Sequence, residues 1–162
     1  MAVFSILENL SQTFPLAVLR THSDFGDLTA VIKKESILEV MEFLKTNPDL
    51  HFDVLMDLSA VDYLWLGKNP RFEVVYHLFS MDKKHRLRVK VGIEDGDLAV
   101  DSVTSLWGSA DWFEREVWDL FGIRFRGHPN LKRILMYEGF AGHPLRKDYP
   151  YNKRQPLIGP RN

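Results

Sequence analysis

Residues 72–93 read Phe72-Glu73-Val74-Val75-Tyr76-His77-Leu78-Phe79, then Ser80 and a charged turn from Met81 to His85, then Arg86-Leu87-Arg88-Val89-Lys90-Val91-Gly92-Ile93. Phe72, Val74, Tyr76 and Leu78 alternate with Glu73, Val75, His77 and Phe79. Leu87, Val89, Val91 and Ile93 alternate with Arg86, Arg88, Lys90 and Gly92. A period of two places one residue set on a core face, so two strands joined by a turn are predicted, the second with a basic solvent side. A further strand is expected between His51 and Trp65.

Upstream the period changes. Val3, Ile6, Leu7, Leu10 and Phe14 repeat at helical spacing and stop near Pro15. Leu16–Leu19 and Leu28–Ile32 flank a turn-rich Ser23-Asp24-Phe25-Gly26-Asp27, which predicts a hairpin. Ser36 and Glu39 have capping-box spacing, and Ile37, Val40, Met41 and Leu44 share a helical face that ends at Asn47-Pro48. Helix, two strands, helix, three strands makes a two-layer α+β domain with both helices on one face of the sheet.

Downstream, Phe113, Val117, Leu120 and Phe121 stripe a third helix, with Asp111 as the expected cap, Glu114 reaching back to it, and Gly122 as the stop. Arg115 has Asp111 and Asp119 four residues to either side, the spacing of helical ion pairs. Beyond Phe125 no period survives, and the final stretch holds five of the eight prolines. Residues 1–123 carry 12 Lys/Arg and 20 Asp/Glu, while residues 124–162 carry 9 and 2. The expected organisation is an α+β domain over 1–123 and a basic, Pro-rich extended tail over 124–162, laid along a partner or along its own acidic body.

Composition narrows the chemistry. The 162 residues include no cysteine, which excludes disulfides, thiolate–zinc sites and cysteine-held iron–sulfur clusters in this chain. With 45% hydrophobic and 27% charged residues the chain is an ordinary folded one. No window approaches 18 consecutive apolar residues, and Glu8 in a start without basic residues argues against a signal peptide. His128-Pro129 and His143-Pro144, each preceded by Gly, match no compact metal motif and read more simply as rigid turns. Glu114 and Glu116 point to different faces of their helix, which weakens an acid–base pair. There is no Gly-rich phosphate loop and no nucleophile elbow. Arg146 and Lys147 beside Tyr149 and Tyr151 could stack on RNA, but no nucleic-acid module stands behind them.

One ordered pattern goes further. Glu114-Arg115-Glu116-Val117-Trp118-Asp119-Leu120-Phe121-Gly122-Ile123, then Phe125, Gly127-His128-Pro129, Leu131, Arg133-Ile134-Leu135 and Gly142-His143-Pro144-Leu145-Arg146-Lys147-Asp148-Tyr149-Pro150, resembles the 30-kilodalton subunit family (the C subunits) of the proton-pumping NADH:quinone oxidoreductase, respiratory complex I. The match is specific over residues 111–150 and departs at Gly139-Phe140-Ala141, where Phe140 stands one position off an expected aromatic. The resemblance implies a non-catalytic assembly subunit of the peripheral arm, without a cofactor of its own. FMN, iron–sulfur clusters and quinone would sit in partner subunits. The implied partners are subunits D, B and I of that complex, the first of them holding the quinone site, on the cytoplasmic side of the bacterial inner membrane. The expected interface residues are Glu114, Arg115, Glu116, Asp119, Gly122, His128, Arg133, Leu135, Phe140, His143, Arg146, Lys147, Asp148 and Tyr149. Three other readings stay open: the equivalent subunit of a related membrane-bound hydrogenase or ferredoxin-driven quinone reductase, a small metal-dependent hydrolase using Glu116 with His128 or His143, and an RNA-binding module.

Overall fold

A computed structural model describes residues 4–156. Val3 of the expected first stripe and the last six residues of the tail lie outside that range. The elements run α1 (Phe4–Thr13), β1 (Val18–His22), β2 (Thr29–Ile32), α2 (Ile37–Thr46), β3 (Val54–Asp62), β4 (Phe72–Phe79), β5 (Arg86–Ile93), β6 (Ala99–Asp101), α3 (Ala110–Phe121) and β7 (Arg124–Arg126).

Five strands form one sheet in the order β1-β2-β5-β4-β3. The β1–β2, β3–β4 and β4–β5 pairs are antiparallel, and β2 lies parallel to β5. Helix α2 carries the chain from the middle of the sheet to its far edge at β3, and two antiparallel steps bring it back beside β2. Register explains the alternation. Ala30, Val89, Tyr76 and Leu58 line up across the sheet and are buried, whereas Arg88, His77 and Asp57 line up on the other face. The buried row shares one core with Ile6, Leu7 and Leu10 of α1, Ile37, Val40, Met41 and Leu44 of α2, and Val117, Leu120 and Phe121 of α3. Each such aliphatic side chain taken from water contributes roughly 1.5–3 kcal/mol, so this layer is the main source of stability.

Four local expectations are corrected. Ser36 makes no side-chain cap, because a 3-10 turn over Lys34–Ser36 runs straight into α2 and the Ile37 amide bonds the Lys34 carbonyl. The first strand starts at Val18 rather than Leu16, since the Ala17 and Val18 amides both bond the Phe14 carbonyl in a turn. Helix α3 begins at Ala110, which leaves Asp111 inside its first turn with no cap to form. The two short strands β6 and β7 add to the expected set. They pair in parallel, Val100 opposite Phe125, and carry backbone pairing into the first residues of the segment read as tail.

Candidate docking surface

From Gly127 onward the described chain forms neither helix nor strand, yet its backbone is not free. It is a succession of turns laid on the body and held at two buried carboxylates.

Asp119 is the first. It sits in the last turn of α3, where the helix dipole disfavours negative charge, and it is fully buried. Its Oδ1 accepts from Arg133 at 2.5 Å, and its Oδ2 accepts from the consecutive amides of Ile134, Leu135 and Met136 at 3.1, 2.9 and 2.8 Å. Burial pushes this carboxyl up, but the three amides and the guanidinium outweigh it and hold the group below its ordinary range. Arg133 also donates to the carbonyls of Phe140 and Gly142, so one guanidinium ties the end of α3 to a turn of the tail. Beside it, Gly122 stops the helix at φ 82°, and a Cβ there would meet the His143 ring at 2.7 Å. His143 Nδ1 lies 2.9 Å from the Asp119 carbonyl, and the Leu145 amide donates to the Leu120 carbonyl at 3.1 Å.

Asp62, at the end of β3, is the second. Its Oδ1 accepts from the Leu64 amide and Arg71 Nε, both at 2.9 Å, and its Oδ2 accepts from Arg71 Nη2 and the Lys147 amide, both at 2.8 Å. Burial raises this carboxyl while Arg71 and the two amides lower it further. Arg71 then reaches Asp95 at 2.8 Å and Asp148 at 3.0 Å, and Arg146 bridges the same two acids. Hydrogen bonding from Arg146 brings Asp148 down to about 2.

Within the tail, Tyr137, Phe140 and Tyr149 form an aromatic cluster, with Phe140 stacked on Tyr149 at 6.1 Å between ring centres. Gln155 Nε2 donates to the Tyr149 hydroxyl at 2.6 Å and the Ala141 carbonyl at 3.1 Å. Phe140 and Tyr149 therefore cover each other, and Leu135 remains exposed.

The structure places the expected residues unequally. Asp119, Gly122, Arg133, Phe140, His143, Arg146, Lys147, Asp148 and Tyr149 are gathered where the tail meets the body or itself. Arg115 supports them by donating to the carbonyls of Lys132 and Arg133 at 3.1 and 3.2 Å; it pairs with Asp111 at 3.8 Å, while Asp119 has gone to Arg133. His128 is a turn residue: its Nδ1 accepts from the Asn130 amide at 3.0 Å, leaving Nε2 to donate to the Asp111 carbonyl. Glu116 is exposed. Glu114 points the other way, into the core, where its Oε1 accepts from the Val103 amide at 2.7 Å and burial pushes its carboxyl up to about 7. It clasps the 102–107 loop to α3 instead of reaching back to a cap at Asp111. Sequence reasoning misses Asp62, Arg71 and Asp95, the body's half of the second anchor. A signal exists: Asp62 has the parity of Leu58 and Ala60, and a carboxylate on a core-facing register needs a cation.

Among the described residues no group of three or more His, Asp or Glu side chains is arranged to hold a metal, and no helix is long and apolar enough to cross a membrane. A cleft of about 630 Å³ is lined by Asp57, His77, Lys84 and Arg88, on the sheet face opposite the helices, and no tail residue lines it.

Three comparisons with known proteins agree. The family model described as the respiratory-chain NADH dehydrogenase 30 Kd subunit matches residues 30–155. The NADH-quinone oxidoreductase C subunit of Citrifermentans bemidjiense is 50% identical over 152 residues, 93% of this chain and 92% of that protein. Its namesake in Geobacter sulfurreducens is 44% identical over 153 residues, covering 93% and 92% of the two chains. Among solved structures, a trypsin-resistant fragment (1-134) of Nqo5 is 34% identical with a TM-score of 0.71, covering 81% of this chain and all of that one. A chain of an archaeal membrane-bound sulfane sulfur reductase shares the fold at 22% identity and a TM-score of 0.75, covering 92% of this chain and 86% of that one.

Proposed function

The chain belongs to the 30 kDa subunit family of the respiratory-chain NADH dehydrogenase, and from that premise we propose that it is the C subunit of an NADH:quinone oxidoreductase, binding partner subunits through its tail and performing no redox step itself. In this reading FMN and the iron–sulfur clusters belong to other subunits of the complex. A chain with no cysteine supplies no thiolate to hold such a cluster, which fits that division. The partners proposed are subunits D, B and I, the quinone-site one first, on the cytoplasmic side of the membrane.

The observation that carries the docking role is the kind of attachment the tail makes. It lies on the body mainly through hydrogen bonds and ion pairs, with Met136 packed against the core and Leu135, Leu145 and Tyr151 turned outward. A segment meant only to complete the body's own core would turn such side chains inward. The solved relative being a trypsin-resistant fragment fits a body that holds together without its whole tail. The identities near 50% favour the NADH-linked complex over the related hydrogenase and ferredoxin-driven readings.

The test is recovery from membranes. The tagged chain, solubilised in mild detergent, is expected to bring with it a complex that reduces quinone with NADH and contains subunits D, B and I. Elution of the chain alone from membranes active in that reaction would contradict the proposal.

A further inference from the structure

Between β3 and β4 a 3-10 turn, Leu64–Leu66, sets three consecutive large apolar residues at the surface, with Leu64 40%, Trp65 77% and Leu66 79% exposed. Isolated exposed leucines are ordinary, but a run of three on a fixed turn is not. The turn is fixed at both ends: the Tyr63 amide bonds the Arg71 carbonyl, the Leu66 amide bonds the Tyr63 carbonyl, and Gly67 closes it in the left-handed conformation.

The same carboxylate that starts this turn also positions the tail. Asp62 accepts the Leu64 amide on one oxygen and the Lys147 amide on the other. Lys147 Nζ consequently stands 5.3 Å from the centre of the Trp65 ring, and exposed Leu145 lies two residues away along the tail. The acids beneath are already engaged, Asp62 by Arg71 and Asp95 and Asp148 by Arg71 and Arg146. Lys147 has no ion-pair partner among the described residues and is exposed. The outward character of the patch is therefore two faces of apolar carbon and one uncompensated cation, held in place before any partner arrives.

We propose that Trp65, Leu66 and Lys147 form a composite docking site for an acidic, apolar-bearing segment of another subunit, which seats an apolar side chain on Trp65 and Leu66 and a carboxylate on Lys147. This rests on the subunit reading above and adds to it a place and a partner chemistry. A second copy of the chain is the weaker occupant, since a two-fold contact through this patch would bring Lys147 towards its own counterpart. An anionic lipid surface is weaker too, because among the described residues the patch offers a single cation without an ion-pair partner, where surface attachment uses several.

The experiment uses the assembled complex. A photo-crosslinking amino acid replaces Trp65, the complex is purified and illuminated, and the joined peptide is identified by mass spectrometry. The expected adduct is on a segment of another subunit with Asp or Glu beside Leu, Ile or an aromatic residue. An adduct on lipid, on a second copy or on this chain alone, or none, overturns the proposal. In parallel, Trp65→Ala and Lys147→Glu, whose side chains lie outside the core, are expected to leave the melting of the isolated chain unchanged. Each is expected to lower its recovery in the complex about tenfold, the scale of losing an interface Trp or charge anchor. Undiminished recovery of both variants beside a wild-type chain that co-purifies sinks this proposal alone. A wild-type chain that co-purifies with nothing sinks this proposal and the subunit reading together.

Discussion

The body and the tail of this chain are held by different forces. The body, through β7, closes one core of aliphatic and aromatic side chains between a five-stranded sheet and three helices. The tail, from Gly127 to Pro156, has no helix or strand and is fastened by Asp119, which takes three of its amides and Arg133, and by Asp62, which takes the Lys147 amide beside Arg71. Apolar burial is non-directional and involves no proton, whereas carboxylate clasps fix geometry and respond to pH. A region held in the second way can be set in register on the body and still present its own face to a partner.

The sharpest way to break this division is Asp119→Ala. It removes the carboxylate partner of Arg133, leaving that guanidinium only backbone carbonyls, and strips three amides of their acceptor, at about 3 kcal/mol for the docked tail. Limited trypsin digestion should then cut at Lys132, Arg133, Arg146 and Lys147 much faster than in wild type while the body keeps its circular dichroism. Loss of tail and body together would show that the two are one unit. Asp62→Ala comes next, at roughly 2 kcal/mol, and frees the second anchor with the Trp65 turn. Its signature is faster hydrogen exchange at the Leu64 and Lys147 amides, with the α2 amides unchanged.

The carboxyls that anchor the tail and the buried Glu114 of α3 shift in opposite directions. Asp62, Asp119 and Asp148 are depressed in the fold, so the stability they give the tail is full above their ordinary value of 3.8 and is lost as pH falls through their lowered values. Glu114 is raised from 4.5 to about 7, so its contribution to the body is full below 4.5 and is lost as pH rises through about 7. Glu114→Gln keeps the acceptor for the Val103 amide and is expected to flatten the fall in melting temperature between pH 5 and 7. An unchanged slope would assign that fall elsewhere. The smallest effect expected is Arg146→Ala. Its pairs with Asp148 and Asp95 involve half-exposed acids and contribute below about 1 kcal/mol to the free chain, but recovery in the complex should fall by more than that implies.

How much of this is legible in the sequence follows from the range of each signal. The helix stripes of Ile37 to Leu44 and Phe113 to Phe121 and the alternation of Arg86 to Ile93 are local periodicities that the structure repeats, whereas β4 buries both faces from Phe72 to Tyr76, Glu73 and Val75 included. Strands β6 and β7, three residues each, are too short to carry a period. The hairpin boundary slips because the turn at Phe14 and an irregular register between Val18 and Arg20 override propensity. Glu114 reads as a cap because a cap lies within three residues, whereas its actual donor, Val103, belongs to an aperiodic loop. In the tail the ordered motif names the residues, but their targets cannot be read. Lys147 meets Asp62 across 85 positions, and no local pattern encodes that meeting.

The central claim, that the tail is for docking and the body stands without it, is tested most directly by a chain ending after Gly127, which keeps β7 whole. Such a chain is predicted to melt cooperatively in isolation and to be absent from the complex purified out of membranes that supply every other subunit. Recovery at the wild-type level would contradict it, and so would a truncated body that no longer folds.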